Sequence, residues 1–376
     1  MYSEKWTKPV LTMRDDGDVL ADAIVENIFN RGALDAINDT LRKLVQNDDI
    51  PVVDMDPEVK VFLEVSGRLP EWADREKMKQ ASAIFDIHGL QIVMMLLGAS
   101  LPTLYAARKG AQVLVLTDRM VNFTLMQRRI VETAQFVMDV TAYDAFEPEG
   151  SGIIAVQKVR LIHAVIRHLI RFDPKWTHNW DYDWGWPINQ VDLAGTMLSF
   201  STTVIDCMER SSVKLTMEEK DAYLHLWKVI GHLLGIEDAL MPDNYLDSVE
   251  LMDTTLKLNH EASAAGQLLT SVLVKFLDDR IPFFTSYITD VMRHWVGHDA
   301  ADILGLPNFH WTIGVFRLQR LIWWTESYFH REIPIIGKFS RRFNRRLVMG
   351  ILSVERGGNR EAFRLPQTLR GKLNLN

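Results

Sequence analysis

An apolar segment, residues 152–172, carries three side chains whose types and spacing could bind a cofactor. In GIIAVQKVRLIHAVIRHLIRF, the residues Arg160, His163 and Arg167 recur at i, i+3 and i+7 and would share one stripe of a helix. Because an unpaired cation is costly in apolar surroundings, this stripe requires anionic partners. Haem b would satisfy the pattern, since a neutral imidazole ligates its iron and two propionates accept guanidinium pairs. The alternative is a packed histidine beside arginines that pair with Asp or Glu elsewhere in the chain.

A second segment, residues 125–141, places polar side chains beside an aromatic ring. In LMQRRIVETAQFVMDVT, the residues Arg129, Glu132, Thr133 and Phe136 occupy one helical face. Such a set could line a small reactive cavity, in which Glu132 would accept a proton. An Arg–Glu pair at i, i+3 is equally typical of a solvated helix surface. The spacing leaves both interpretations open.

A third segment, residues 176–187, is unusually rich in aromatic residues. It reads WTHNWDYDWGWP, with four Trp and one Tyr in twelve residues. This density could wall an apolar pocket, or it could fill a packed loop under the domain.

The elements that must position these side chains are predicted to be helices. Thr216 and Glu219 form a capping-box pattern that predicts the start of the helix carrying His232. A strand pattern appears only in residues 111–116 and, more weakly, in 51–62. With no linker or repeat, the chain is predicted to be one all-α domain. Apolar residues recur at helical spacing in residues 19–44, 84–107, 128–140, 156–170, 193–208, 222–234, 246–258 and 263–276.

Composition and motifs exclude several classes of chemistry. The 376 residues contain a single cysteine, Cys207, which rules out a disulfide framework, a thiolate-rich metal site and covalent c-type haem. A P-loop, a dinucleotide-binding glycine motif, a nucleophile elbow and the paired Glu-x-x-His motifs of di-iron bundles are all missing from the sequence. His294 and His298 have ligand-like spacing, but Gly297 lies between them and no third ligand is evident.

Charge is distributed unevenly along the chain. The net charge is −7, yet residues 331–376 carry eleven Lys or Arg against three Asp or Glu. The acidic remainder argues against a nucleic-acid-binding body. Within the tail, basic pairs alternate with Phe339, Phe343, Leu347 and Ile351, which is typical of an amphipathic helix that binds an anionic membrane or an acidic partner. The same apolar stripe could instead pack on the acidic body.

Localisation is predicted from the termini and the hydropathy pattern. The first residues, MYSEKWTKPV, contain no secretion leader, so a cytoplasmic location is expected, with membrane association through the tail as an option. The longest apolar stretch, residues 90–107, is interrupted by polar residues, Gly and Pro, which predicts a buried helix and not a membrane span.

Four strings, in this order, resemble the MpaB/rubber-oxygenase family, which includes the latex-clearing proteins. They are RRIVETAQFVMDV, VRLIHAVIRH, WPINQVDLAGTMLSF and WKVIGHLLGIEDALMP. The resemblance implies a globin-like helical core around non-covalent haem b, with additional helices wrapped around it. This core would span about residues 85–246 of a single domain, 1–376, that ends in the basic tail.

The family's pattern also implies roles for individual residues. His163 would ligate the iron, His168 would help to retain the haem, and Arg129 and Thr133 would line the oxygen pocket. The rubber oxygenases carry a lysine immediately before that threonine, whereas this chain has Glu132. The sixth coordination position is therefore expected to be open or occupied by water, with Glu132 as a base.

Four further residues are predicted to contact the cofactor. Arg160 and Arg167 are candidate propionate anchors, although either could serve a structural pair. Thr196 belongs to the third matching string and His232 to the fourth. His232 is the weaker candidate, because packing in a buried helix would account for it equally well.

The function that the resemblance implies is a haem b-dependent oxygenase. Its substrates would be dioxygen and an apolar, unsaturated, isoprenoid-like compound, and the expected reaction is oxidative cleavage of a carbon–carbon double bond. The missing leader argues against polymeric rubber, because a polymer cannot enter a cell. A haem-binding sensor or carrier without turnover, and a haem-free helical scaffold, are the alternatives.

Overall fold

In the described part of the chain, helices form nearly all the regular secondary structure. The computed structural model describes residues 3–32, 56–117, 123–147, 150–280, 285–308, 312–332 and 344–350. These residues contain no strand, only an isolated bridge between Ala107 and His260. In chain order, the helices are α1 Glu4–Thr12, α2 Val19–Asn30, α3 Pro57–Ser66, α4 Arg75–Met95, α5 Leu101–Ala106, α6 Arg108–Leu116, α7 Phe123–Val140, α8 Ser151–Phe172, α9 Pro174–Thr177, α10 Gln190–Phe200, α11 Thr202–Arg210, α12 Met217–Leu233, α13 Tyr245–Asn259, α14 Ala264–Arg280, α15 Thr285–Val296, α16 His298–Ile303, α17 Ile313–Glu332 and α18, residues 344–350.

The all-α prediction is confirmed, but both strand predictions are wrong for the described residues. Residues 111–116 lie in α6, which buries Ala111 and Val113 and ends where the Thr117 hydroxyl donates to the Val113 carbonyl at 2.7 Å. Residues 57–62 lie in α3, where Asp56 caps the helix and Pro57 occupies its first position. Residues 51–55 lie outside the described part. Short apolar runs fit either secondary structure, so packing decided the outcome.

Most predicted helices are present with small changes of boundary. Of residues 19–44, α2 covers the part that is described. Residues 193–208 form two helices, α10 and α11, because the backbone breaks at Ser201. The capping box is confirmed: Thr216 accepts from the Glu219 amide, and the Glu219 carboxylate accepts from the Thr216 amide.

A continuous apolar run joins α4 to α5 through a π-helical turn, Leu96–Ser100. By length and composition alone, Arg75–Ala106 could cross a membrane. However, 61% of its most apolar 18-residue stretch is buried inside the fold. The helix packs along α12, and Gly98 lies so close to the ring of Trp295 that a Cβ atom there would be only 2.7 Å away. This burial is that of a core helix, as the interrupted pattern predicted.

The described part of the basic tail, α18, packs on the body. Arg345 pairs with Asp86 of α4 at 2.9 Å and donates to the Met138 carbonyl of α7 at 3.1 Å. Val348 is only 3% exposed and contributes to the main apolar core. For these residues the structure favours packing on the acidic body over a free membrane-binding helix. The rest of the tail lies outside the described residues.

Candidate functional site

A cavity of about 520 Å³ lies between the central helices. Its wall is built mainly by aliphatic and aromatic side chains of α4 to α8, α10 and α12 to α14. The size is typical of a small-molecule or cofactor site, and an apolar wall with few polar groups is the usual composition of such a site. In the sequence, the lining residues run from Leu90 to Arg280. The wall therefore includes residues beyond 246, where the haem-binding core was predicted to end.

The helix α8 contributes His163 to this wall, as the sequence predicted. Val159 and Ile166, one turn before and one turn after it, line the same surface. The opposite sides of α8 are packed against α2 and α7, so the helix is buried around most of its circumference. His163 is therefore held by a rigid element and presented to an apolar space.

The helix α7 contributes Arg129 and Thr133, which also line the cavity. Their spacing of four residues puts both on one face, as the sequence predicted. Burial lowers the pKa of the Arg129 guanidinium, and the nearby Glu132 carboxylate opposes this shift. The cavity thus has a cation and a hydroxyl on one wall and an imidazole on another.

Glu132 does not line the cavity, which corrects its expected placement. Only 8% exposed, its carboxylate lies 3.0 Å from Arg128 Nε and 3.8 Å from Arg129 Nη1. A buried carboxylate requires such cationic partners. Its position between two arginines suits Glu132 to hold Arg129 in place, and not to contact a molecule in the cavity directly.

Arg160 and Arg167 were predicted to anchor propionates, and the structure places both outside the cavity wall. Arg160 forms a buried pair with Asp18, Nε to Oδ2 at 2.6 Å, and donates to the Leu233 carbonyl at 3.1 Å. Arg167 pairs with Asp22 at 2.7 Å. Each guanidinium thus pairs with an aspartate, Asp18 at the N-cap of α2 or Asp22 within it, which is the structural alternative that the spacing left open.

Two histidines predicted to assist cofactor binding also lie outside the wall. His168 is enclosed by the rings of Phe29 and Phe172, with ring centroids at 4.2 and 4.9 Å. His232 lies edge-on to Trp72 at 5.8 Å. Burial lowers the pKa of both imidazoles, which is the expected result of packing against apolar neighbours. For His232 the packing interpretation is favoured.

Thr196 lines the cavity, as expected, and its hydroxyl donates to the Asp192 carbonyl at 2.7 Å.

The Trp-rich segment, residues 176–187, does not line the cavity. Trp176 and Trp180 pack with α2 and α8, and none of the twelve residues reaches the wall. That segment is a packed loop.

The sequence reasoning missed Arg280 and other polar side chains of the wall, of which Asp192, Asn259 and His260 are three. Burial raises the pKa of Asp192, while Arg14, 3.5 Å away, opposes the shift. Asn259 accepts from Arg14 Nη1 at 2.6 Å. His260 donates from Nε2 to the Thr103 carbonyl at 3.0 Å, and burial lowers its pKa to about 4.

The sequence carried little signal for these three residues. Asp192 lies within the string WPINQVDLAGTMLSF and looks like a first-turn helix residue, and the Asn189 cap does accept from its amide. Asn259 and His260 end α13 without any recognisable motif. The tertiary fold alone brings them to the wall.

Fold and wall together define an all-helical protein that encloses an apolar cavity with an imidazole and a guanidinium in its surface. The profile of the family described as "ER-bound oxygenase mpaB/B'/Rubber oxygenase, catalytic domain" matches residues 86–326, more than half of the sequence. The chain therefore belongs to this family of oxygenases.

Individual relatives agree with this assignment. The chain is 27% identical over 306 residues to the rubber oxygenase of Streptomyces sp. (strain K30), covering 77% of this chain and 71% of that protein. The structure is similar to that of a latex-clearing protein in the closed state, with a TM-score of 0.75 and 25% identity. That similarity covers 94% of this chain and 95% of the other.

Proposed function

We propose that this protein is a haem b-dependent oxygenase that cleaves a carbon–carbon double bond of an apolar, isoprenoid-like substrate with dioxygen. The observation that carries the proposal is the shared cavity. His163 of α8 and the pair Arg129 and Thr133 of α7 line one apolar space of about 520 Å³. Membership of an oxygenase family and similarity to a rubber oxygenase support both the reaction class and the apolar substrate.

The residues of the wall fit a haem. A neutral imidazole is the usual protein ligand of haem iron, and apolar side chains surround His163. Anionic propionates would require a cation, and besides Arg129, which would face the reacting species, the wall contains Arg280. Arg280 replaces Arg160 and Arg167 as the candidate anchor, because those two pair with aspartates. His163 would hold the iron.

When bound, the haem would supply the redox chemistry that activates dioxygen. The chain's own residues would position the reactants. The aliphatic wall would bind the isoprenoid and exclude water, and Arg129 and Thr133 would donate hydrogen bonds to oxygen atoms of the reacting species. Among the described residues of the wall, Asp192 is the single carboxylic acid. Because it lines the wall and Glu132 does not, Asp192 is the candidate acid or base beside the substrate, and burial raises its pKa.

An absorption spectrum tests the cofactor. The full-length protein, expressed with added haem, should show a Soret band that His163→Ala loses or shifts. His168→Ala is the matched control, because it removes an imidazole from the same helix but outside the wall. Retention of an unchanged band in His163→Ala would move the ligand elsewhere, and no band in the wild type would favour the haem-free scaffold.

Turnover is tested separately. The haem-loaded protein should consume dioxygen and release carbonyl products from a short isoprenoid such as squalene, and a polyisoprene emulsion tests the substrate named for the relative. A Soret band without product from either substrate would favour the carrier or sensor. Hydrogen peroxide in place of dioxygen distinguishes a peroxidase.

A further inference from the structure

The helix α17 exposes an apolar face that nothing in the described structure covers. Leu318, Leu321, Ile322 and Tyr328 are 58%, 57%, 55% and 51% exposed. Val315, Trp324 and Phe329 are also more than 40% exposed. A large exposed patch on one element is typical of an interaction site, whereas scattered single residues are not.

The opposite face of α17 is the one that packs on the body. Trp323 is 8% exposed and stacks against Trp295, and Ser327 is 7% exposed. At 100° per residue, Leu318, Leu321 and Phe329 lie roughly opposite Trp323. The helix is therefore apolar on two sides. A helix that is apolar on all sides is normally buried on all sides. We therefore expect the outer side of α17 to contact a second apolar environment.

The charges of α17 indicate which environment this is. Among its described side chains the exposed polar one is Arg317, and no exposed side chain is a carboxylate. The acid Glu326 is turned inward and accepts from Gln91 Nε2 at 2.8 Å. In the sequence, residues 331–346 contain six Lys or Arg against one acid, Glu332, and of these cations Arg345 pairs with Asp86. An apolar and aromatic face beside cations complements an anionic lipid surface.

A second copy of the chain would be a poorer partner for this face. An isologous contact would bring Arg317 of one molecule towards Arg317 of the other, with no carboxylate among the described exposed side chains of the helix to compensate. A bilayer offers both the hydrocarbon and the negative charge, and Trp324 and Tyr328 are side chains that prefer the boundary between them.

We propose that α17 is an interfacial helix, with which the protein binds the surface of an anionic bilayer. Its outer leucines and aromatic rings would enter the headgroup boundary, while Arg317 would contact lipid phosphates. The inner face lies next to α4, where Gln91 bonds Glu326 and Met94, one turn later, lines the cavity. An apolar compound dissolved in the bilayer would therefore meet the protein beside the cavity wall.

The proposal is tested by co-sedimentation of the full-length protein with vesicles. Wild type should bind vesicles of phosphatidylcholine with 30% phosphatidylglycerol more strongly than pure phosphatidylcholine, and added salt should weaken the binding. The double substitution Leu318→Glu with Leu321→Glu should lower the partition coefficient at least about tenfold, because two apolar anchors become repulsive charges. Since both residues are exposed, circular dichroism and the melting temperature should stay unchanged.

Matched variants separate the alternatives. Leu246→Glu alters a leucine that is 65% exposed on α13 and should leave binding unchanged. Deletion of residues 351–376 should also leave most of the binding intact. The proposal is overturned if wild type ignores anionic vesicles, if the double variant binds like wild type, or if only the deletion abolishes binding. It is equally overturned if light scattering shows a dimer without lipid that the double variant dissociates.

Discussion

Arg160 and Asp18 form a bidentate ion pair, with Nε to Oδ2 at 2.6 Å and Nη2 to Oδ1 at 2.8 Å. Asp18 is also the N-cap of α2, since its Oδ1 accepts from the Ala21 amide at 3.2 Å. Gly235, with φ of +86°, packs so closely here that a Cβ atom would overlap the Asp18 carboxylate. The pair thus ties the start of α2 to α8, the helix that presents His163 to the cavity.

Removing one partner of this ion pair should strongly destabilise the fold. Asp18→Asn would leave the Arg160 guanidinium buried without its counter-charge, and we expect a loss of about 3–5 kcal/mol in the free energy of unfolding, measured by urea titration. Asp253→Asn, which breaks the exposed pair with Lys257, is the control and should cost under about 1 kcal/mol. If the two substitutions lowered the free energy of unfolding equally, the buried pair would contribute no more to stability than the exposed one.

Substitutions at two glycines should affect the stability of the fold differently. A Cβ atom at Gly266 would overlap the Tyr105 carbonyl oxygen, which is backbone and cannot rotate away, so Gly266→Ala should destabilise by about 1–3 kcal/mol. At Gly195, inside α10, the nearest atom would be Thr255 Cγ2 at 3.6 Å, an ordinary contact. Gly195→Ala should therefore be neutral or stabilise by up to about 1 kcal/mol. Thermal unfolding measures both, and a neutral Gly266→Ala would contradict the packing of α14 on α5.

Stability should fall as the pH drops from about 6.5 towards 4, in part through His260. Its pKa is about 4 in the folded protein against 6.5 for the free group, because burial disfavours the imidazolium. In this window the unfolded chain binds a proton that the folded chain does not, so acid favours unfolding, by about 3 kcal/mol at most. Above pH 6.5 the contribution vanishes, since both states are neutral.

His260→Gln isolates this contribution, because the amide can still donate to the Thr103 carbonyl. The variant should show a flatter dependence of unfolding free energy on pH between 4 and 6.5. His225, whose pKa burial also lowers to about 4, acts in the same direction and remains in the variant. The raised pKa values of Asp22 and Asp192 act in the opposite direction. An unchanged slope would show that His260 is not buried as described.

Arg129 and Glu132 should act as one unit. If Arg129 donates to the reacting oxygen, Arg129→Gln should lower kcat by about a hundredfold with the Soret band retained. Glu132→Gln should lower kcat less, because it acts through the position of Arg129. In a double-mutant cycle, Glu132→Gln should then add little to Arg129→Gln. Additive losses would return Glu132 to the direct role that the sequence suggested.

The family strings and the helical periodicity predicted much of the fold and part of the site. The predicted helices, the Thr216–Glu219 capping box and four wall residues, Arg129, Thr133, His163 and Thr196, are placed as expected. These features depend on local spacing, which a helix converts directly into a shared face. Glu132 shows the limit of that argument: it lies on the predicted face, yet two neighbouring arginines bind its carboxylate away from the cavity.

The sequence by itself determined an all-helical oxygenase-family chain and the helices that carry the reactive side chains. Which side of each helix meets the cavity was decided only by tertiary structure. On α8, His163 lines the cavity while Arg160 and Arg167 turn towards aspartates of α2, from a part of the chain some 140 residues earlier. The physical reason is that α8 is apolar on nearly every side, so its periodicity leaves its orientation undefined. Only the positions of the distant partners fix that orientation.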